Sequence, residues 1–391
     1  MESLRTDCCH VCSGTVQAVQ IRHGFRQVSS DCKLRSTNGR LFVCAECGVV
    51  QKPTTPEWVS VSEQIYSEYE IYCQSAGMEQ LAFDQSNGIG TTRSRLLVDW
   101  LSQSTSILES GELLEIGCGN GNFLREFGSR LPGWTLTGLE LNERHRGLVE
   151  TLPNTTYSSD RISDYDKCFD ALVLIHVLEH VVDPMTLLTQ ISQRLNPGGL
   201  MLIEVPNLAE SPFDILIADH CSHFSPRVLV NLVETAGFEV IRLVEGLIPK
   251  EISLLARVRN KPLRSFGKFT AMDTDDLAEG QKQVLECHLS WLAIVLSQAR
   301  EFSNGIGIFG SSIAATWLAS ELVDAVRFFV DEDVARAGQL HLGLPIVSVD
   351  DVPGNTPVLM PLRPDIAQRV ADRLNTDRKI QFVLPPRQGC I

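Results

Sequence analysis

Cys9-His10-Val11-Cys12 and Cys44-Ala45-Glu46-Cys47 are two C-x2-C knuckles separated by 31 residues. A turn of that length aims both of its sulfurs to one side. Two such turns offer a tetrahedral S4 donor set, the geometry of structural zinc. Gly48 follows the second knuckle and permits a tight turn under the metal. The spacing therefore predicts a structural Zn2+ held by Cys9, Cys12, Cys44 and Cys47, and a closed tetrad keeps no position for a catalytic water. Cys8 adjoins the first knuckle, but its spacing to Cys12 is less regular. Cys32, Cys73, Cys118, Cys168, Cys221, Cys287 and Cys390 are scattered and read as ordinary thiols.

A second stretch able to do chemistry is Leu113-Leu114-Glu115-Ile116-Gly117-Cys118-Gly119-Asn120-Gly121. The apolar run reads as a buried parallel strand, and Phe123, Leu124 and Phe127 begin a helical spacing after it. Strand, glycine-rich turn and helix open a Rossmann-like unit whose bare backbone lets a ligand approach closely. Glu140, closing the next strand, is placed to accept both hydroxyls of a ribose. Three features favour S-adenosylmethionine over a dinucleotide. Glu115 ahead of the glycines suits a cation and would repel a pyrophosphate. The third glycine comes two residues after the second. Phe169-Asp170, an apolar strand ending near His176, and Pro197-Gly198-Gly199 follow downstream. Cys118 and His176 join the expected donor set, and Asp160, after a strand at Thr155 to Tyr157, is placed to reach an adenine amino group. His180 reads as a structural contact at a helix start.

Beyond the fifth strand comes Ile217-Ala218-Asp219-His220-Cys221-Ser222-His223-Phe224-Ser225-Pro226, with Ser225-Pro226 opening a helix. His220 is the expected general base, since imidazole titrates near neutrality, and Asp219 is suited to orient it. His223 is a weaker candidate. A metal on the His220–His223 pair lacks an obvious third ligand. Tyr66, Tyr69 and Tyr72 crowd a segment before the glycine loop; it packs as an amphipathic helix or forms a lid, with Tyr72 reaching the reacting centre to stabilise developing enolate charge.

These elements need a scaffold, and the C-terminal third supplies more of one. A long helix at 273–301 precedes a second strand–glycine–helix unit, Gly305-Ile306-Gly307-Ile308-Phe309-Gly310-Ser311-Ser312, and further strands alternate with helices to Leu384. Such alternation predicts a parallel sheet. This unit spaces Gly305, Gly307 and Gly310 as GxGxxG, and no second redox cofactor is expected. The 391 residues are 43% hydrophobic and 21% charged, with a net charge of −14. That balance fits an ordinary folded chain and excludes global disorder and the basic surface needed for nucleic acid. No apolar run reaches the roughly 20 residues of a membrane span, and MESLRTDCCHVC has no signal-peptide core, so the expected address is cytoplasmic.

The succession E-x-G-x-G-x-G, Phe169-Asp170 and Pro197-Gly198-Gly199 resembles class I S-adenosylmethionine-dependent methyltransferases over roughly residues 95–258. With the four-cysteine module and the C-terminal α/β unit, the whole chain resembles the three-domain sugar C-methyltransferases. In that family a Glu-His pair precedes a helix-opening Phe-Ser; Asp219-His220 precedes Phe224-Ser225 here, with Ala218 where the family has a second histidine. Tyr69 and Tyr72 match the family's tyrosine-rich segment, and Phe309-Gly310-Ser311-Ser312 with Val330-Asp331 match its C-terminal pattern. The resemblance implies an α/β fold: a zinc-binding module at 1–60, a Rossmann-like methyltransferase domain at 61–260 with a tyrosine-rich lid helix at 61–94, and a second Rossmann-like, substrate-binding domain at 261–391. It implies methyl transfer to a small molecule, a nucleotide-linked keto sugar, with His220 as base. O- or N-methylation of another metabolite, and a non-catalytic zinc-ribbon adaptor, are the alternatives.

Overall fold

The computed structural model describes residues 8–21, 24–68, 81–83, 90–259, 274–302, 305–374 and 380–389. Its centre is a seven-stranded sheet: β1 (Glu112–Ile116), β2 (Thr135–Leu139), β3 (Thr155–Ser158), β4 (Phe169–Ile175), β5 (Leu195–Pro206), β6 (Phe238–Glu245) and β7 (Glu251–Val258), in the order β3-β2-β1-β4-β5-β7-β6. β1 to β5 run parallel, and β7 pairs antiparallel with both β5 and β6. Both faces are covered, so the parallel strands are apolar in continuous runs. Leu114, Leu172, Leu174 and Ile203 pack on one side. Leu113, Val173 and Leu202 pack on the other, against Phe123, Phe127 and Trp100. The turn expected at Asn196 to Gly199 is absorbed into β5, where the register with β4 shifts.

Local signals account for the helices. Asp183 caps the helix Pro184–Gln193, accepting the Thr186 N–H at 2.8 Å, with proline at the first position. Ser225 occupies the N-cap of Pro226–Thr235 as expected, but its side chain makes no capping hydrogen bond. The long C-terminal helix spans Thr274–Ala299. The helix expected to start near residue 61 begins earlier, at Pro56, and is described to Glu68.

The cysteine region and the central sheet are stitched together. Val16–Ala18, Phe42–Cys44 and Val50–Gln51 form a sheet whose fourth strand is Ser222–His223, from the loop after β5. Cys9, Cys44 and Cys47 pack into the same core as Leu229 and Leu232. The C-terminal six-stranded sheet is parallel apart from the Leu340–His341 edge. Its core residues Trp291, Ile306 and Trp317 share a cluster with Val28, Val50, Leu208 and Leu216. Among the described residues, no helix is long and apolar enough to cross a membrane.

Candidate functional site

The glycine loop joins β1 to the helix Asn122–Arg130 at the carboxyl edge of the sheet. Gly117, Gly119 and Gly121 have φ of 72°, 52° and 76°, where a side chain is strained. A Cβ on Gly117 would also sit 2.5 Å from a Val177 methyl. Glu140 follows β2 directly; its carboxylate accepts the Gly119 N–H at 3.1 Å and the Leu141 N–H at 2.8 Å. It stands beside the loop, as a ribose partner must. Glu115 is buried at 3% exposure one residue before the strand ends. The Cys118 thiol is buried beside Gly138 and pushed up by desolvation and then by Glu115 and Glu140. The thiol also reaches the Gly119 carbonyl in the loop at 3.8 Å. Asp160 accepts the Ser158 hydroxyl at 2.6 Å and is exposed.

His176 directly follows β4, at φ 52°, and enters a carboxylate cage. Its Nδ1 lies 3.0 Å from Glu179, and its Nε2 lies 3.6 Å from both Glu204 and Glu251. Arg93 reaches Glu204 at 3.0 Å. Burial pulls His176 down, but Glu251, Glu179 and Glu204 outweigh it and hold it at about 10, while burial lifts Glu251 to about 7. His176 is thus paired with protein carboxylates, while its Nε2 makes no hydrogen bond.

The histidine loop is built differently from the sequence expectation. Asp214, not Asp219, orients His220: its two oxygens lie 2.6 Å from His220 Nδ1 and 2.5 Å from His223 Nδ1. Burial raises the Asp214 carboxyl, but the two histidines overcome it and hold it well below its ordinary range. An ionised carboxylate only accepts, so both Nδ1 atoms carry protons. Asp219 is engaged elsewhere, accepting the Ser30 N–H at 2.8 Å and the Ser30 hydroxyl at 2.5 Å. One methylene shorter than glutamate and pinned to the N-terminal region, it cannot also hold the His220 ring. His223 is in a strand, not a loop, paired with Val50.

The cysteine-bearing region grips this segment along its length. Ala218 N–H donates to Val28, Lys52 N–H to Cys221, and the Lys52 ammonium to the Ile217 carbonyl. Burial pulls Lys52 down to about 8. Trp58 Nε1 donates to the Ala218 carbonyl at 2.9 Å. Tyr66, on the same helix, stands edge-on to His180 at 5.7 Å. Tyr72 lies outside the described residues.

Cys9, Cys12, Cys44 and Cys47 come together, with Sγ–Sγ distances of 3.5 Å for Cys9–Cys47 and Cys12–Cys44. Backbone N–H groups of Val11 and Glu46 point at the Cys9 and Cys44 sulfurs at 3.3 Å. Four converging sulfurs with N–H support fit a tetrahedral zinc. Sequence reasoning missed Asp214, Arg93, Glu204 and Glu251, and it gave Glu179 no role. The one signal for Glu179 was its adjacency to His180.

Residues 90–243 match a family model described as a methyltransferase domain. The chain is 30% identical over 121 residues to a ubiquinone biosynthesis O-methyltransferase of Dechloromonas aromatica, covering 29% of this chain and 51% of that one. It is 26% identical over 142 residues to a trans-aconitate 2-methyltransferase of Deinococcus radiodurans, covering 35% and 52%. The chain therefore spans about half the length of these curated relatives. A solved S-adenosylmethionine-dependent methyltransferase of Clostridium acetobutylicum aligns over 43% of this chain and 91% of its own, at 11% identity and a TM-score of 0.37. The central sheet is a Rossmann-like class I methyltransferase fold, with a further α/β sheet after it.

Proposed function

We propose that this chain is an S-adenosylmethionine-dependent methyltransferase acting on a small molecule. One observation carries the reading: three glycines at positive φ beside Glu140, at the sheet's carboxyl edge, within the residues that match the methyltransferase domain. When bound, S-adenosylmethionine supplies an electrophilic methyl group on a sulfonium; the acceptor atom takes it, and sulfur keeps the electron pair as a thioether.

The chain's own residues seat and activate. Gly117, Gly119 and Gly121 make room for the donor, Glu140 takes its ribose, and buried Glu115 supplies negative charge next to a cationic ligand. His220, its Nδ1 proton committed to Asp214, offers Nε2 to the acceptor's proton. The four cysteines hold a structural zinc that fixes the region gripping the histidine loop. Residues 1–60, 61–260 and 261–391 form the zinc module, the methyltransferase domain and a substrate-binding domain. The finer reading of the acceptor is a nucleotide-linked keto sugar, supported by the resemblance of the three-part chain to the sugar enzymes. The relatives support an O-methyl acceptor instead.

Calorimetry with S-adenosylhomocysteine tests the donor site, and absence of binding would sink the enzymatic reading in favour of an adaptor. Incubation with labelled donor and a panel of nucleotide sugars, quinols and hydroxy acids then identifies the acceptor. NMR separates a new C–CH3 from an O–CH3.

A further inference from the structure

We infer that Glu179, His180 and His220 form a second metal site, for a divalent transition ion, at the acceptor side of the donor loop. Each offers one ligand atom, and these atoms lie within 4.8 Å of one another. The rings of His180 and His220 meet edge to face at 4.5 Å.

The surrounding hydrogen bonds aim this set. His180 Nδ1 is 3.0 Å from the Asp219 carbonyl, which only accepts, so that nitrogen carries the proton. His220 Nδ1 is held by Asp214, itself braced by His223. Both Nε2 atoms keep their lone pairs. A histidine whose second nitrogen is tied to a carboxylate or carbonyl is the usual support of a metal ligand. Glu179 is 1% exposed; Oε1 faces His176, and Oε2 is buried with no hydrogen-bond partner. A buried carboxylate oxygen left unmatched is costly unless something fills the place.

Two imidazoles and one carboxylate suit Zn2+, Mn2+, Fe2+ or Co2+ better than Mg2+, which prefers oxygen donors and water. Three protein ligands leave positions open, unlike the closed cysteine tetrad. An oxygen of the acceptor fits there. The inference rests on the methyl-transfer reading and changes one step of it. A nitrogen that ligates a cation cannot also take a proton. With the ion seated, His220 becomes a ligand, the acceptor's oxygen ionises against the cation, and its proton passes to water.

Co2+ is the probe. The full chain is stripped with chelator and reconstituted with Co2+, and bound metal is counted by atomic emission. Two ions per chain are expected, one with intense thiolate charge-transfer bands and one with weak d–d bands alone. Glu179→Gln and His220→Asn should each lose the second ion and keep the thiolate bands. Cys9→Ser should lose the thiolate bands. One ion per chain in the wild type, or a second ion that survives both variants, overturns the inference. So does full turnover of metal-stripped protein whose cysteine site alone has been refilled. Absent S-adenosylhomocysteine binding would instead fell the methyltransferase reading and leave the metal count standing.

Discussion

The cysteine cluster and the Glu179–His180–His220 cluster are two arrangements of side chains suited to holding a cation. The first uses four soft sulfurs from two knuckles, with Cys9, Cys44 and Cys47 buried in a shared core and Cys12 partly buried against it. The second uses two nitrogens and an oxygen drawn from the 3-10 turn Leu178–His180 and from the loop after β5. Its incompleteness is its use, because an open position is where an acceptor binds. The two are mechanically joined. Val50–Gln51, just beyond the second knuckle, pairs with Ser222–His223, just beyond His220. The closed site thus acts as the foundation of the open one.

The largest effect should come from the foundation. Cys44→Ser is expected to cost more than about 4 kcal/mol in urea unfolding, the range of losing a structural metal, and to abolish turnover. A loss below about 1 kcal/mol would break the idea that one cluster supports the other. His220→Asn should lower turnover by about 10²–10⁴-fold while S-adenosylhomocysteine binds as before. Wild-type turnover would remove His220 from the chemistry.

Asp214→Asn sharpens the contrast through pH. The folded Asp214 carboxyl lies below its ordinary value, so its stabilisation is present above about pH 4 and fades as pH falls toward the depressed value. The variant should be less stable than wild type by about 2 kcal/mol at pH 7, with the gap closing on acidification. A gap that stays constant with pH refutes the ionised Asp214. The smallest effect belongs outside both clusters. Gly117→Ala, at φ 72° and against Val177, should cost about 1–2 kcal/mol and weaken donor binding by about tenfold. Metal content should be unchanged, which separates the donor seat from the two cation sites.

Much of this was legible in the chain. The helix Thr274–Ala299 falls within the stretch 273–301 read as one long helix, and β1 with its glycine turn follows from an apolar run before Gly117. Asp214 was not legible, because it lies six residues before His220 in a stretch with no periodic pattern, and a 3-10 turn at Asp214–Leu216 folds it back. Asp219, adjacent in sequence, was the natural partner for His220, yet its oxygens go to Ser30, 189 residues away. The carboxylates around His176 were not legible either, because Glu204 and Glu251 reach it only through strand pairing of β5 with β4 and β7.

The sequence alone determined the features whose parts are neighbours along the chain: the two sulfur knuckles, the glycine turn, the apolar strands and their capped helices. Backbone geometry and side-chain period act over a few residues, so such features are written locally. Tertiary structure decided which carboxylate orients which histidine, and that Glu179 joins His180 and His220. Those choices depend on strand order and on the N-terminal region clasping a distant loop, and contacts of that range are fixed only when the cores close.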